Sequence, residues 1–278
     1  MQYTTRYFNK IIEDQNFLYK QSSNIEKIKA EYDYYYYLPD ELKHYFVQPQ
    51  DFLLESPLAS YKMQKMYIED AAKQIVNYSM DIKSFRNLLN KIEDFKNNCD
   101  EIRLSQEDGF QEAQKIVLTK TINRLDNLNI PTGDLYFRLS KSFEYYKHDR
   151  VNWDLKVSHG DLCLSNILWN GNILLIDPKG ALNKNDLYMD KYYDMAKLSH
   201  SIIGGYDFIN NEMYDFEIGQ EFIEEFKIFL ETNDFNFKLL RVYEASLFLS
   251  MLPFHIENTK KISYFLNQCD IILKEIGF

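Results

Sequence analysis

Asn170-Gly171 lies between the apolar runs Ile167-Leu168-Trp169 and Ile173-Leu174-Leu175-Ile176, and no other feature constrains this chain so tightly. A two-residue type I′ turn needs positive φ at both central positions, which Asn and Gly supply, so the segment predicts a β-hairpin. With that turn Trp169 faces Asn172, Asn166 stands opposite Leu175, and Asp177 follows two residues beyond. Asp161 arrives five residues before Asn166, so an amide and two carboxylates converge on one open end of the hairpin. Such a set supplies hard oxygen ligands for Mg²⁺ and leaves one carboxylate to orient a hydroxyl. Phosphoryl transfer from a nucleotide is the reaction that needs this combination, because it depends on positioning and charge neutralisation.

The remaining sequence frames that block. Of the 278 residues, 45% are apolar, enough for a substantial core. Lys plus Arg number 32 against 42 Asp plus Glu; the net charge of −10 argues against a nucleic-acid partner held by a positive field. Apolar stretches such as Ala245 to Phe254 fall short of the roughly 20 residues that span a bilayer, so no membrane span is expected. The opening Met1-Gln2-Tyr3-Thr4-Thr5-Arg6-Tyr7 lacks the apolar core of a secretory signal, which predicts a cytoplasmic protein. Cys99, Cys163 and Cys269 are too few and too scattered for a disulfide framework or a CxxC zinc site.

All nine glycines lie at or after Gly109, so a phosphate-cradling loop in the first 108 residues cannot be glycine-rich. Ile11-Ile12 and Phe17-Leu18-Tyr19 around Asp14-Gln15-Asn16 predict a hairpin, with Lys20 at the end of its second strand. Ser23-Asn24-Ile25-Glu26 has the form of a capping box, and Ile25, Ile28, Tyr32, Tyr35 and Tyr36 predict an amphipathic helix stopped near Pro39. The run Tyr34 to Tyr37 is assigned to helix packing. β-like runs at Asp51 to Glu55 and Tyr61 to Ile68 complete a small sheet. Beyond about Ala71 the pattern turns helical, with apolar stripes through Phe85, Leu88, Leu89, Ile92 and Phe95 and through Phe222, Phe226 and Leu230.

His159-Gly160-Asp161-Leu162-Cys163-Leu164-Ser165-Asn166 followed by Ile176-Asp177-Pro178-Lys179-Gly180 resembles the catalytic and metal-binding loops of the aminoglycoside phosphotransferase and choline kinase group. The resemblance is most specific from about Val157 to Ile209, where Tyr193-Asp194-Met195-Ala196 adds a downstream aspartate. This stretch looks most like phosphotransferases of bacterial capsule and lipopolysaccharide biosynthesis. The resemblance implies a bilobal, protein-kinase-like α+β fold, with a nucleotide-binding lobe over residues 1–69 and a mainly helical catalytic and acceptor-binding lobe over 70–278. By resemblance, Asp161 is the catalytic base, Asn166 and Asp177 hold Mg²⁺, and His159 and Asp194 support the catalytic loop. Lys20 resembles the lysine that grips the ATP phosphates and Glu31 its ion-pair partner, with Glu26 a competitor that the capping box occupies. The alternative reading counts Lys20 and Glu31 as surface charges. Met66-Tyr67-Ile68 is the expected hinge against the adenine. Phosphate contacts that a Gly-rich loop would make fall to the Asn9-Lys10 region or to nothing. Lys179 either approaches the transferred phosphate or covers the loop, and His255 either lines the acceptor pocket or is structural. Pro178 replaces the aromatic residue of protein kinases, which favours a small-molecule kinase.

The function this implies is ATP- and Mg²⁺-dependent phosphorylation of a hydroxyl on a sugar, polyol or amino-alcohol destined for the cell envelope. Its competitors are an antibiotic kinase of the aminoglycoside type and a kinase-like binding protein without turnover.

Overall fold

The computed structural model describes residues 9–126, 128, 130–150 and 152–278. Met1 to Tyr7, on which the expectation about a signal sequence rests, lies outside them. Two compact units divide the chain: residues up to Glu101 with Lys156–Met189, and Ile102–Leu155 with Asp190–Phe278. The lobe boundary expected near residue 69 falls inside the first unit, which also holds the Asp161 to Gly180 block.

In the first unit, strands β1 (Asn9–Glu13) and β2 (Phe17–Ser22) form the expected hairpin. Asp14 closes its turn by accepting the N–H groups of Asn16 and Phe17, both at 2.7 Å. Helix α1 (Ile25–Tyr37) follows, then β3 (Pro49–Glu55) and β4 (Leu58–Gln64). The antiparallel sheet has the order β1-β2-β4-β3, so β2 and β4 are central. Lys20 pairs with Tyr61 and Ser22 with Ala59 across these two strands. Because directly paired residues share a face, all four point to the same side, where Ile28 of α1 packs against Ala59 and Tyr61. A lysine therefore stands in the interface between sheet and helix.

Helix α1 has its expected bounds but not its expected cap. Asn24, not Ser23, is the N-cap residue, its side chain accepting the Lys27 N–H at 3.1 Å. The Asn24 N–H in turn donates to Ser22 Oγ at 3.1 Å. This one-residue shift leaves Glu26 exposed in the first turn with no reciprocal role. Asn24→Ala is thus expected to lower stability by about 1 kcal/mol, and Ser23→Ala or Glu26→Ala by only a few tenths. Thermal denaturation of the three variants checks the order, and a larger loss in Glu26→Ala would restore the capping box. The buried side of α1 also differs from the apolar stripe: Ile28, Glu31 and Tyr34 are buried, whereas Ile25 and Tyr36 are exposed. A carboxylate occupies the inner face because Lys20 waits there to pair with it.

The helix Ile82–Asn98 buries Phe85, Leu88, Leu89, Ile92 and Phe95 as its stripe predicts, and Asp81 caps it by accepting the Ser84 N–H at 2.7 Å. It carries the second hairpin, because Trp169 Nε1 donates to Ser84 Oγ at 2.8 Å. In that hairpin Ile167 pairs with Leu175 and Trp169 with Ile173, so the loop is Asn170-Gly171-Asn172. The expected two-residue turn is therefore corrected to three residues. The Asn172 N–H reaches Asn170 Oδ1 at 3.3 Å, and Gly171 takes φ of +100°.

The second unit is helical: Gln106–Gln114 runs through a π-helical turn into Lys120–Leu125, and the longer members are Leu135–Tyr146, Tyr192–Ile202, Gln220–Thr232, Phe237–Met251 and Thr259–Glu275. Every residue from Leu239 to Met251 is buried, which makes that helix the axis of the unit. Two of its buried cations are ion-paired: Arg150 with Asp190 at 2.6 Å, and Arg241 with Glu244. Among the described residues no helix is long and apolar enough to cross a membrane.

Candidate active site

The first unit assembles most of the residues singled out in the sequence. Lys20 Nζ lies 2.7 Å from Glu31 Oε2 and 2.9 Å from Asp177 Oδ1. Lys20 and Glu31 are only 4% and 5% exposed, so they are not surface charges. Glu31, not Glu26, is the lysine's partner. Two neighbours that the sequence did not single out complete the cluster: the Tyr61 hydroxyl donates to Glu31 Oε2 at 3.4 Å, and Lys27 Nζ lies 3.4 Å from Glu31 Oε1. Lys27 was findable, since an i,i+4 Lys–Glu pair is an ordinary helical contact. Tyr61 required the strand register.

Burial alone would pull the Lys20 ammonium down, but Asp177, Tyr61 and Glu31 outweigh it and hold its pKa well above the ordinary 10.5. Burial likewise pushes the Asp177 carboxyl up, and the Lys20 charge and hydrogen bond overcome that to leave it below 3.8. The sign of each shift defines a broad plateau: the Lys20–Asp177 contact is lost as pH falls through the depressed carboxylate value or rises through the raised ammonium value, and persists between. Asp161 opposes Lys20 at this position, because its negative charge acts on Asp177. The Asp177 side chain keeps 41% of its surface open, unlike the two residues behind it.

The loop from Ser158 to Asn166 is held by its own polar atoms. The Asp161 N–H donates to His159 Nδ1 at 3.2 Å, which makes Nδ1 an acceptor. Nε2 must then carry the proton and donate to the Ile176 carbonyl at 2.9 Å, so His159 is neutral and ties the Asp161 loop to the residue before Asp177. Its buried ring stacks on Phe46 at 5.9 Å. Asn166 Nδ2 donates to the Asp161 carbonyl at 2.8 Å and lies 3.4 Å from Asp161 Oδ2. Because both partners are acceptors, the amide nitrogen faces Asp161 and Oδ1 is turned elsewhere, with no hydrogen bond among the described residues.

The three-residue turn changes how Asp177 arrives. Asn166 pairs with Ile176, whose N–H donates to the Asn166 carbonyl at 3.1 Å, so an extended strand would send the next side chain to the opposite face. Asp177 instead adopts φ of +56°, a left-handed conformation that Asp tolerates better than most residues. That backbone reversal delivers its carboxylate to Lys20. Glu31, Tyr61 and Asp177 together line a small cavity with Val47, Met63 and Pro178.

Met66 and Ile68, expected at the hinge, follow β4 as half-buried residues on either side of the exposed Tyr67, in a segment that belongs to no strand. The backbone groups of Met66, Tyr67 and Ile68 make no hydrogen bond among the described residues. On either side the chain is anchored, with the Lys65 N–H on the Asn16 carbonyl at 2.8 Å and the Glu69 carbonyl on the Trp169 N–H at 3.1 Å. Lys179 lies over the loop: its backbone N–H donates to the His159 carbonyl at 2.9 Å, and its stem occupies the space a Cβ on Gly160 would need. Lys10 is exposed on β1, and the Asn9 side chain lies outside the described residues. Asp194 and His255 belong to the second unit. Asp194 is buried in the helix Tyr192–Ile202, and His255 closes a 3₁₀ turn with its ring 5.2 Å from that of Phe265.

Hard oxygens, one unpartnered amide carbonyl and one open carboxylate fit a divalent cation such as Mg²⁺. Among the described residues no three His, Cys, Asp or Glu side chains gather at one point.

Among solved structures, the chain matches a thermostable variant of aminoglycoside phosphotransferase APH(4)-Ia in ternary complex with AMP-PNP and hygromycin B, at 12% identity and a TM-score of 0.62, over 100% of this chain and 93% of that one. A choline/ethanolamine kinase family protein from Mesorhizobium loti matches at 8% identity and 0.58, over 98% and 87%. The chain has their fold. It is the bilobal, protein-kinase-like α+β fold that the sequence implied. A glucosamine kinase in complex with glucosamine, ADP and inorganic phosphate matches at 10% identity and 0.60, over 96% and 79%. No protein-family model and no curated protein matches the sequence.

Proposed function

We propose that this protein transfers the γ-phosphoryl group of ATP to a hydroxyl of a small molecule. The observation that carries this is the pairing of Lys20 with both Glu31 and Asp177 in the unit that holds Asp161 and Asn166. Lys20 binds the α- and β-phosphates, and Glu31 and Tyr61 hold its ammonium in place. The backbone groups of Met66 to Ile68, without a hydrogen bond among the described residues, meet the adenine. Asn166 and Asp177 are the ligands for Mg²⁺, which when bound neutralises charge on the β- and γ-phosphates. Asp161 accepts the acceptor hydroxyl's proton as the new O–P bond forms and the bond to the departing ADP breaks. His159 keeps the base in position and Lys179 covers the loop; the supporting role of Asp194 and the acceptor-side role of His255 are carried by the sequence alone.

The acceptor class is a sugar, polyol or amino-alcohol, in keeping with the glucosamine carried by one structural neighbour and the hygromycin B carried by another. The resemblance of residues 157 to 209 to capsule and lipopolysaccharide phosphotransferases supports a product destined for envelope polysaccharide synthesis.

Acceptor-dependent ADP release from purified protein tests the proposal, with sugars, polyols, amino-alcohols and aminoglycosides as the panel and Mg²⁺ present. ADP release with a neutral sugar or polyol supports it as stated, and release confined to aminoglycosides makes the protein an antibiotic kinase. A Mg²⁺-dependent nucleotide thermal shift with no turnover on any acceptor would leave a binding protein. Absence of nucleotide binding would remove the assignment altogether.

A further inference from the structure

Helix α1 carries Glu31, and the loop after Asp177 packs against that helix at Ala30 and Glu31. Gly180 has φ of +89°, and a Cβ built on it would lie 3.0 Å from the Ala30 carbonyl carbon, the Ala30 Cβ and the Glu31 nitrogen. The next residue fixes the seat, since the Ala181 N–H donates to the Ala30 carbonyl at 2.9 Å. Farther along the helix, the buried Tyr34 hydroxyl donates to the Ser158 carbonyl at 2.8 Å, and the Tyr37 hydroxyl to the Leu182 carbonyl at 3.2 Å. The side of α1 next to Glu31 therefore rests on backbone, which cannot yield as a flexible side chain would. Any atom added at Gly180 presses directly on the main chain of Glu31, whose carboxylate lies 2.7 Å from the Lys20 ammonium.

We propose that Gly180 is a positioning residue: by letting the Asp177 loop seat against Ala30 and Glu31, it sets where Glu31 holds Lys20, and so sets nucleotide affinity. This rests on the assignment of Lys20 to the ATP phosphates. Gly180 touches no reacting atom and acts only through Glu31.

The test is calorimetric affinity for Mg·ATP in wild type, Gly180→Ala, Glu31→Gln and the double variant. Each single change is expected to weaken binding about tenfold or more, and the double variant to fall no more than about twofold below the weaker single, because both act on one contact. Ala30→Val presses on the same seat from the helix side with no left-handed backbone involved. It is expected to weaken binding in the same direction and to show the same non-additivity with Glu31→Gln, and it decides the matter if Gly180→Ala does not fold. A purely structural role would lower the melting temperature and leave the affinity of the folded protein unchanged. Losses that multiply in the double variants, or affinities within about twofold of wild type, overturn the inference while leaving the nucleotide assignment intact. Failure of the wild-type protein to bind Mg·ATP removes the nucleotide assignment, and this inference with it.

Discussion

Asp161→Asn is expected to fold, to bind Mg·ATP as the wild type does, and to lose at least about a hundredfold in turnover, the usual scale for a positioned general base. The local structure explains why the loss is confined to chemistry. The loop is held by the Asp161 backbone, whose N–H bonds His159 Nδ1 and whose carbonyl accepts from Asn166 Nδ2. Neither bond involves the carboxylate. The weaker approach of Asn166 Nδ2 to Asp161 Oδ2, at 3.4 Å, survives as well, because an asparagine amide oxygen accepts as a carboxylate oxygen does. What asparagine cannot do is take a proton from a hydroxyl. Steady-state turnover with the best acceptor, set beside calorimetry with Mg·ATP, separates the two effects. Turnover within a few-fold of wild type would remove Asp161 from the role of base, and lost nucleotide binding would show that its charge serves the metal instead.

The residues that gather at the candidate site were legible because they are written as residue types at fixed spacings. Asp161, Asn166 and Asp177 stand within one short segment, and Glu31 follows Lys20 at the distance a strand and a helix allow. Geometry was less legible wherever one residue decides it. Asn170-Gly171 signals a turn, but whether Asn172 joins the turn or the strand depends on pairing across the hairpin, and that choice shifts the register by one. The same holds at α1, where Ser22, Ser23 and Asn24 all have capping chemistry and packing of Ile28 against the sheet selects Asn24. That Glu31 and Tyr34 lie on the buried side of α1 was hidden for a different reason. An apolar periodicity argument skips polar residues, yet these two are buried because Lys20 and the Ser158 carbonyl satisfy them. Gly180 could not be read at all, since its importance lies in the approach of a helix 150 residues earlier in the chain. Local chemistry is thus inherited from sequence, and precision of placement from tertiary contact.

Asp177 offers the sharpest separation of metal from nucleotide. Its carboxylate faces Lys20 on one side, at 2.9 Å, and keeps 41% of the side chain open on the other. Removing it leaves the buried Lys20 with Glu31 at 2.7 Å, still a neutral pair, so the sheet and helix lose no obligatory partner. It also removes a negative charge from the place where phosphates must enter. Asp177→Ala is therefore expected to bind metal-free ATP at least as well as wild type and to gain nothing from added Mg²⁺, because the neutral Asn166 alone cannot hold a hydrated divalent ion. Alanine at φ of +56° adds backbone strain of about 1–2 kcal/mol, so the melting temperature should fall slightly. Asp177→Asn, which tolerates that conformation, should restore the melting temperature but only part of the Mg²⁺ dependence. Calorimetry of ATP with and without Mg²⁺ on all three proteins provides the comparison. An unchanged Mg²⁺-dependent affinity in both variants would show that Asp177 is no metal ligand and serves only to hold Lys20. A collapse of metal-free ATP binding would instead mean that Asp177, and not Glu31, is the contact that presents Lys20 to the phosphates.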